Sequence, residues 1–164
     1  MVPLGTAAPD FNLKGIDDAW HTLGDYAAVK VLVVVFMCNH CPYVQKIWDD
    51  LVALEQRQPD SVQFLGINSN GGNPNYPEDS FEKMKEYAAA KGQGFPYLID
   101  DAQTAGKAYD AQCTPDIFVY DQERHLVYRG AFSGLEEAIQ ALLNGEKPTD
   151  AQEHSMGCSI KWQA

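Results

Sequence analysis

Cys38-Asn39-His40-Cys41-Pro42 stands directly after the apolar run Val31-Leu32-Val33-Val34-Val35-Phe36-Met37 and directly before a segment of helical periodicity. Two thiols are thereby placed where a strand hands over to a helix. The unpaired N–H groups and positive dipole end of a helix N-terminus stabilise a thiolate there, and two intervening residues let the sulfurs meet across one turn. Such a pair can cycle between dithiol and disulfide. The apolar run is too continuous for a half-exposed strand and reads as a central strand covered on both faces.

Around this junction the pattern predicts a mixed sheet flanked by helices. Asp10-Phe11-Asn12-Leu13 and Trp20-His21-Thr22-Leu23 flank a turn over 15–18 and suggest an N-terminal β-hairpin extension. Val44, Ile47, Trp48, Leu51 and Leu54 recur at helical spacing, which gives a helix from about Pro42 to Gln56. A second buried strand over 62–67 is followed by a helix that Pro77 opens and Gly92 closes, making one βαβ crossover with parallel strands. Segments 117–120 and 126–129 form an antiparallel hairpin. A last helix carries Leu135, Ile139, Leu142 and Leu143, with Ser133 and Glu136 fitting a capping box. The tail, 145–164, ends with Cys158, Ile160 and Trp162 alternating with polar residues, an extended segment docked by one face through Ile160 and Trp162.

With 164 residues, 45 % of them hydrophobic, the chain is the size of one domain with one sizeable core. Its net charge of -11 repels nucleic acid and anionic membranes, so neither is an expected partner. The first residues do not read as a signal peptide, and no apolar stretch approaches the roughly 20 residues of a membrane helix, so a cytoplasmic location is expected. Four cysteines are too few for a disulfide-stapled scaffold. Redox or metal chemistry remains.

Thiolate attacks a disulfide, and an ordinary thiol with a pKa of about 8.5 is only about 3 % ionised at pH 7, so the site must lower that value. By position Cys38 is the exposed nucleophile with a lowered pKa, Cys41 resolves the mixed disulfide, and His40 tunes the thiolate. Stabilising the reduced form makes the couple more oxidising. A structural zinc site would need two further ligands, but Cys113 and Cys158 stand apart without a second close pair, and His21, His125 and His154 share no ligand spacing. The second constellation is Cys113-Thr114-Pro115 before the strand Asp116-Ile117-Phe118-Val119. It reads either as a proline tolerated at a strand entrance or as a cis-proline turn facing the cysteine pair, with the Thr114 backbone offered to a substrate chain. The Asn- and Gly-rich stretch 68–75 lacks the lysine of a phosphate loop and reads as an ordinary loop at the active-site edge. Cys113 and Cys158 read as packing cysteines.

Phe36-Met37-Cys38-Asn39-His40-Cys41-Pro42-Tyr43-Val44, Cys113-Thr114-Pro115-Asp116 and Gly157-Cys158-Ser159-Ile160-Lys161-Trp162 resemble a bacterial branch of the thioredoxin-like superfamily described as thiol-disulfide isomerase or thioredoxin, near the alkyl hydroperoxide reductase/thiol-specific antioxidant (redoxin) group. The resemblance covers nearly the whole chain. It implies a thioredoxin-like α/β fold, a cis Thr114-Pro115 bond beside Cys38 and Cys41, and substrate contacts from Met37, Thr114 and Pro115. Three departures matter. Met37 stands where thioredoxins carry Trp, Leu32 stands where they carry a buried Asp that accepts the resolving proton, and His40 follows protein disulfide isomerase rather than thioredoxin. The branch also carries a longer polar loop after the equivalent of Gly130.

Together these features predict a thiol-disulfide oxidoreductase acting on protein thiols and disulfides, with an unknown reductant or oxidant and no cofactor or metal beyond the redox-active Cys38–Cys41 disulfide. Two alternatives stand beside it. One is a peroxiredoxin-like thiol peroxidase with Cys38 peroxidatic and Cys158 resolving. The other is a non-enzymatic redox-sensing or zinc-holding binding domain.

Overall fold

The computed structural model describes residues 2–149 and 152–163; of the tail read as 145–164, positions 150, 151 and 164 lie outside the described residues, as does position 1. In chain order the elements are β1 (Asn12–Gly15), β2 (Trp20–Thr22), β3 (Val31–Phe36), α1 (Pro42–Gln56), β4 (Val62–Asn68), α2 (Phe81–Lys91), β5 (Tyr97–Ile99), α3 (Thr104–Ala108), β6 (Cys113–Thr114), β7 (Asp116–Tyr120), β8 (Leu126–Gly130), α4 (Leu135–Leu143) and β9 (Cys158–Ser159). Seven strands form one mixed sheet in the order β2-β1-β5-β4-β3-β7-β8, and β6 and β9 form a separate two-stranded ribbon.

The apolar run is the middle of this sheet. All six residues of β3 are buried. Val31, Val33 and Val35 pack with α1, α2 and α4, while Leu32, Val34 and Phe36 pack on the opposite face with Tyr109, Phe118 and Tyr120. Side chains alternate across a strand, so only a run apolar at every position can serve two cores. Each such side chain contributes about 1.5–3 kcal/mol on burial. β3 pairs parallel to β4 and antiparallel to β7, with Val35 opposite Gly66 and Phe36 opposite Asp116. This register delivers Cys38, Asn68 and Thr114 to one end of the sheet. The expected N-terminal hairpin is present, and β1 also pairs with β5, which joins the extension to the main sheet.

α1 spans the expected residues, with Cys41 at its N-cap and Pro42 in its first turn, where a missing N–H costs nothing. Several local expectations are corrected. Pro77 opens a short 3-10 turn, not α2; the Ser80 hydroxyl caps α2 by accepting from Lys83 N at 3.2 Å. Gly92, at φ 66°, ends α2 in the left-handed region that a side chain disfavours. Ser133 and Glu136 make no capping box: a 3-10 turn over Phe132–Gly134 delays α4, and Ser133 Oγ turns to Glu153 in the tail.

The tail docks through Ile160, which is buried in the second core, whereas Trp162 is 44 % exposed and only rests over Gly106. Backbone bonds do the rest. Asn70 Oδ1 accepts from Lys161 N at 2.9 Å, Gln103 Nε2 donates to Lys161 O at 2.8 Å, and Gln163 N donates to Gln103 Oε1 at 2.8 Å. Among the described residues no helix is long and apolar enough to cross a membrane. Ile160→Ala should therefore lower unfolding free energy by about 2 kcal/mol or more, and Trp162→Ala by under about 1 kcal/mol, in urea titrations. The reverse ranking would contradict this docking.

Candidate active site

β3 ends at Phe36 and the chain turns through Met37 to Asn39 before α1 begins. The Cys38 thiol stands 3.3 Å from Thr114 Oγ1, and in the dithiol form the Cys41 thiol donates to Thr114 O at 3.3 Å. Thr114 thus touches both sulfurs. The bond that follows it, Thr114–Pro115, is cis. The structure brings Cys38, Cys41, His40, Thr114 and Pro115 together at this end of the sheet.

Three of their properties differ from expectation. Cys38 is fully buried, as is Cys41, because the tail closes over the junction. Met37 is also fully buried, with its thioether against Gly66, so it is a core residue and presents no surface to a substrate. The backbone edge of Thr114 is taken by the chain itself, since Thr114 pairs with Cys158 and Cys113 with Ser159.

The two thiols titrate as a pair. The S–H left after one ionisation donates to the anion, which makes the first proton of the pair easier to lose than that of an ordinary thiol. The same hydrogen bond, burial and the Asp79 carboxylate make the second harder. The lowered pKa expected at Cys38 is thus corrected: the Cys38 pKa is raised, and Cys41 draws the charge through the Cys38 thiol, the Cys158 thiol and the Val44 N–H of α1. The Thr114 carbonyl repels charge at Cys41, and the Thr114 hydroxyl can donate to Cys38. The first anion of the pair nevertheless sits at Cys41, with the Cys38 S–H donating to it.

Sequence reasoning missed Asp79. The proton-accepting carboxylate was sought within the strand, where Leu32 stands, but the structure supplies one from the turn before α2. Asp79 is fully buried, accepts from Asn39 N at 2.6 Å, and is hydrogen-bonded to His40 Nδ1. Asn68 Nδ2 donates to its Oδ1 at 3.4 Å, and Tyr97 OH donates to Asn39 Oδ1 at 2.8 Å. His40 itself stacks on Tyr76, with ring centroids 5.6 Å apart. An acid just ahead of a serine N-cap was the available signal. Asn68, read as part of an ordinary loop, belongs to this network.

The donor atoms of Cys38, His40 and Asp79 lie within 4.8 Å of one another and are the described residues that could hold a metal ion. Asp79 already spends one oxygen on Asn39 N–H and the other on His40, so a metal there would displace hydrogen bonds that shape the loop.

Cys158 and Cys113 separate in environment. Cys158 donates to Cys41 and is held above the ordinary thiol value chiefly by that bond. Cys113 donates to Pro115 O at 3.6 Å, and burial pushes it up to about 12.

The chain is similar in sequence and fold to several known proteins. The chain is similar over its full length to a hypothetical protein of Sinorhizobium meliloti 1021, at 36 % identity with a TM-score of 0.96 and 97 % of that chain covered. An uncharacterized conserved protein of Geobacillus kaustophilus is 40 % identical, with a TM-score of 0.95, over 99 % of this chain and 94 % of its own. The thioredoxin domain of a thiol-disulfide oxidoreductase of Bacteroides vulgatus, 16 % identical over 85 % of this chain and 97 % of its own, has a TM-score of 0.71 and shows the thioredoxin-like fold. Thiol-disulfide oxidoreductase ResA of Geobacillus thermodenitrificans is 27 % identical over 74 % of this chain, which spans 65 % of that protein. The sequence model of the AhpC/TSA family matches residues 4–129, more than half of the chain, and the protein belongs to the AhpC/TSA family.

Proposed function

We propose that the protein is a thiol-disulfide oxidoreductase in which Cys38 and Cys41 cycle between dithiol and disulfide and exchange with protein thiols and disulfides. The observation that carries this reading is two sulfurs gripped from one side by Thr114, the residue that precedes a cis proline. Because Cys38 is fully buried, its attack on a protein substrate's sulfur requires the tail over the junction to open; Cys41 then attacks Cys38, forming the intramolecular disulfide and releasing the substrate thiol. The pair's stabilised anion makes both steps feasible near neutral pH and favours the reduced form, which makes the couple more oxidising. An unidentified reductant or oxidant recharges it, and the cytoplasm, where thiols are kept reduced, is the proposed compartment.

Asp79 and His40 complete the mechanism as proton acceptor. The His40–Asp79 pair lies beside Cys38, and it takes the proton that the dithiol must lose on oxidation, the role assigned elsewhere to the absent strand carboxylate. In Cys38→Ser, exchange with a protein disulfide such as insulin should fall sharply. Cys41→Ser should instead accumulate mixed disulfides, because only the second thiol releases the substrate. Normal turnover by Cys41→Ser would overturn these roles. Asp79→Asn, which keeps an acceptor for Asn39 N–H, should slow exchange by about tenfold to a hundredfold at neutral pH. The deficit should shrink as pH rises, since solvent base replaces the carboxylate; a pH-independent deficit would make Asp79 merely structural.

The ionisation of the pair has a sign that can be read directly. Its first thiolate is held below the ordinary value of 9, with the lowering at Cys41 reaching about 4. The thiolate should therefore survive as pH falls below 9 and disappear only on further acidification. Thiolate ultraviolet absorbance of the reduced protein, compared with Cys41→Ser, measures this. Absorbance that appears only above pH 9 would contradict it.

The AhpC/TSA match also supports the peroxidase reading, with Cys38 as the thiol that meets the hydroperoxide. Peroxide consumption exceeding insulin reduction in the same preparation would favour it.

A further inference from the structure

Both cysteines of the redox pair are fully buried, yet Cys158, the third cysteine of the cluster, is only partly buried. Cys158 lies in a strap that is built for close approach. A methyl group on Gly157 would collide with Thr114 O, so only glycine lets the strap press onto the residue that holds both sulfurs. β9 pairs antiparallel with β6, which sets Cys158 opposite Thr114. Ile160 N donates to Gln112 O at 3.4 Å, and Asn70 and Gln103 fasten Lys161. Cys158 packs against the core cluster that contains Cys38 and Cys41, and its thiol is close enough to Cys41 to influence that thiol's ionisation. In effect the chain has laid its own cysteine on the edge where an extended peptide would pair.

We propose that Cys158 is a third redox-active thiol, which carries the disulfide between the buried Cys38–Cys41 pair and thiols outside the protein. The proposal rests on the redox-active pair and extends it. In the oxidised chain, Cys158 Sγ attacks Cys41 Sγ. The Cys41–Cys158 bond forms, the Cys38–Cys41 bond breaks, and Cys38 leaves with the proton that Cys158 gives up. This step is an isomerisation with no net oxidation. An external thiol then attacks Cys158 Sγ, and Cys41 leaves as the thiolate that the Val44 N–H helps to hold. A second equivalent of external thiol removes the mixed disulfide from Cys158, so two external thiols become one disulfide and the protein returns to three thiols. Cys113, whose thiol is turned to Pro115 O, takes no part.

The test is peptide mapping of the full chain after oxidation by glutathione disulfide, with free thiols alkylated under non-reducing conditions. Wild type should yield Cys38–Cys41 as the main linkage with a minor Cys41–Cys158 form whose Cys38 is alkylated. Cys38→Ser should yield Cys41–Cys158 as its main linkage, and Cys113→Ser should match wild type. In stopped-flow reduction of the oxidised chain by reduced glutathione, Cys158→Ser should be slowed roughly tenfold or more, because the buried disulfide has lost its accessible contact. A Cys38→Ser chain that shows only glutathionylated or free Cys41 and Cys158, or a Cys158→Ser chain reduced within about twofold of the wild-type rate, would overturn the relay. Absence of any Cys38–Cys41 linkage in wild type would instead overturn the redox pair itself.

Discussion

Thr114 is the residue on which the site depends. Its hydroxyl meets Cys38, its carbonyl meets Cys41, and its backbone pairs with the strap that bears Cys158. Three sulfurs from two distant parts of the chain are therefore indexed to one residue. The cis bond that follows is part of the turn between β6 and β7, and β7 in turn is fixed against β3 by five paired residues. Because β3 is buried on both faces, the site inherits the rigidity of the sheet centre.

The electrostatics of the pair follow from this closure. A thiolate exposed to water would depend on the helix terminus alone, which supplies from a few tenths to about 2 kcal/mol. Enclosing both sulfurs makes hydrogen bonds count for more and makes an isolated second charge costly. One anion at Cys41, with the Cys38 S–H donating to it, is the compromise. The Asp79 carboxylate would aggravate the cost of that second charge, but His40 offers it a partner, and Asn39, Asn68 and Tyr97 link the dyad to the sheet. The acid thus reaches the site from the turn before α2 instead of from the strand.

Much of this was legible in the sequence. The unbroken apolar run specified β3, the 3.6-residue spacing of Val44, Trp48 and Leu51 specified α1, and the junction between them located the thiols. These are local patterns with a single physical reading. What could not be read was set by distant contacts. The burial of Cys38, the core position of Met37 and the occupation of Thr114 all arise from residues far along the chain returning to the site. Asp79 lies 40 residues from Asn39, whose N–H it accepts, and its spacing from His40 carries no periodic signal. The failed capping box at Ser133 has a similar cause, since Glu153 of the tail claims its hydroxyl.

The central claim, that Cys38 and Cys41 form a redox couple whose reduced form is stabilised by the anion at Cys41, is tested most directly by its reduction potential. Equilibration with glutathione buffers, followed by alkylation and mass spectrometry of both cysteines, measures it. A single two-electron transition, losing both thiols together at a potential more oxidising than about −270 mV, is the predicted result. A potential at or below that value, or two thiols that never pair with each other, would contradict the account.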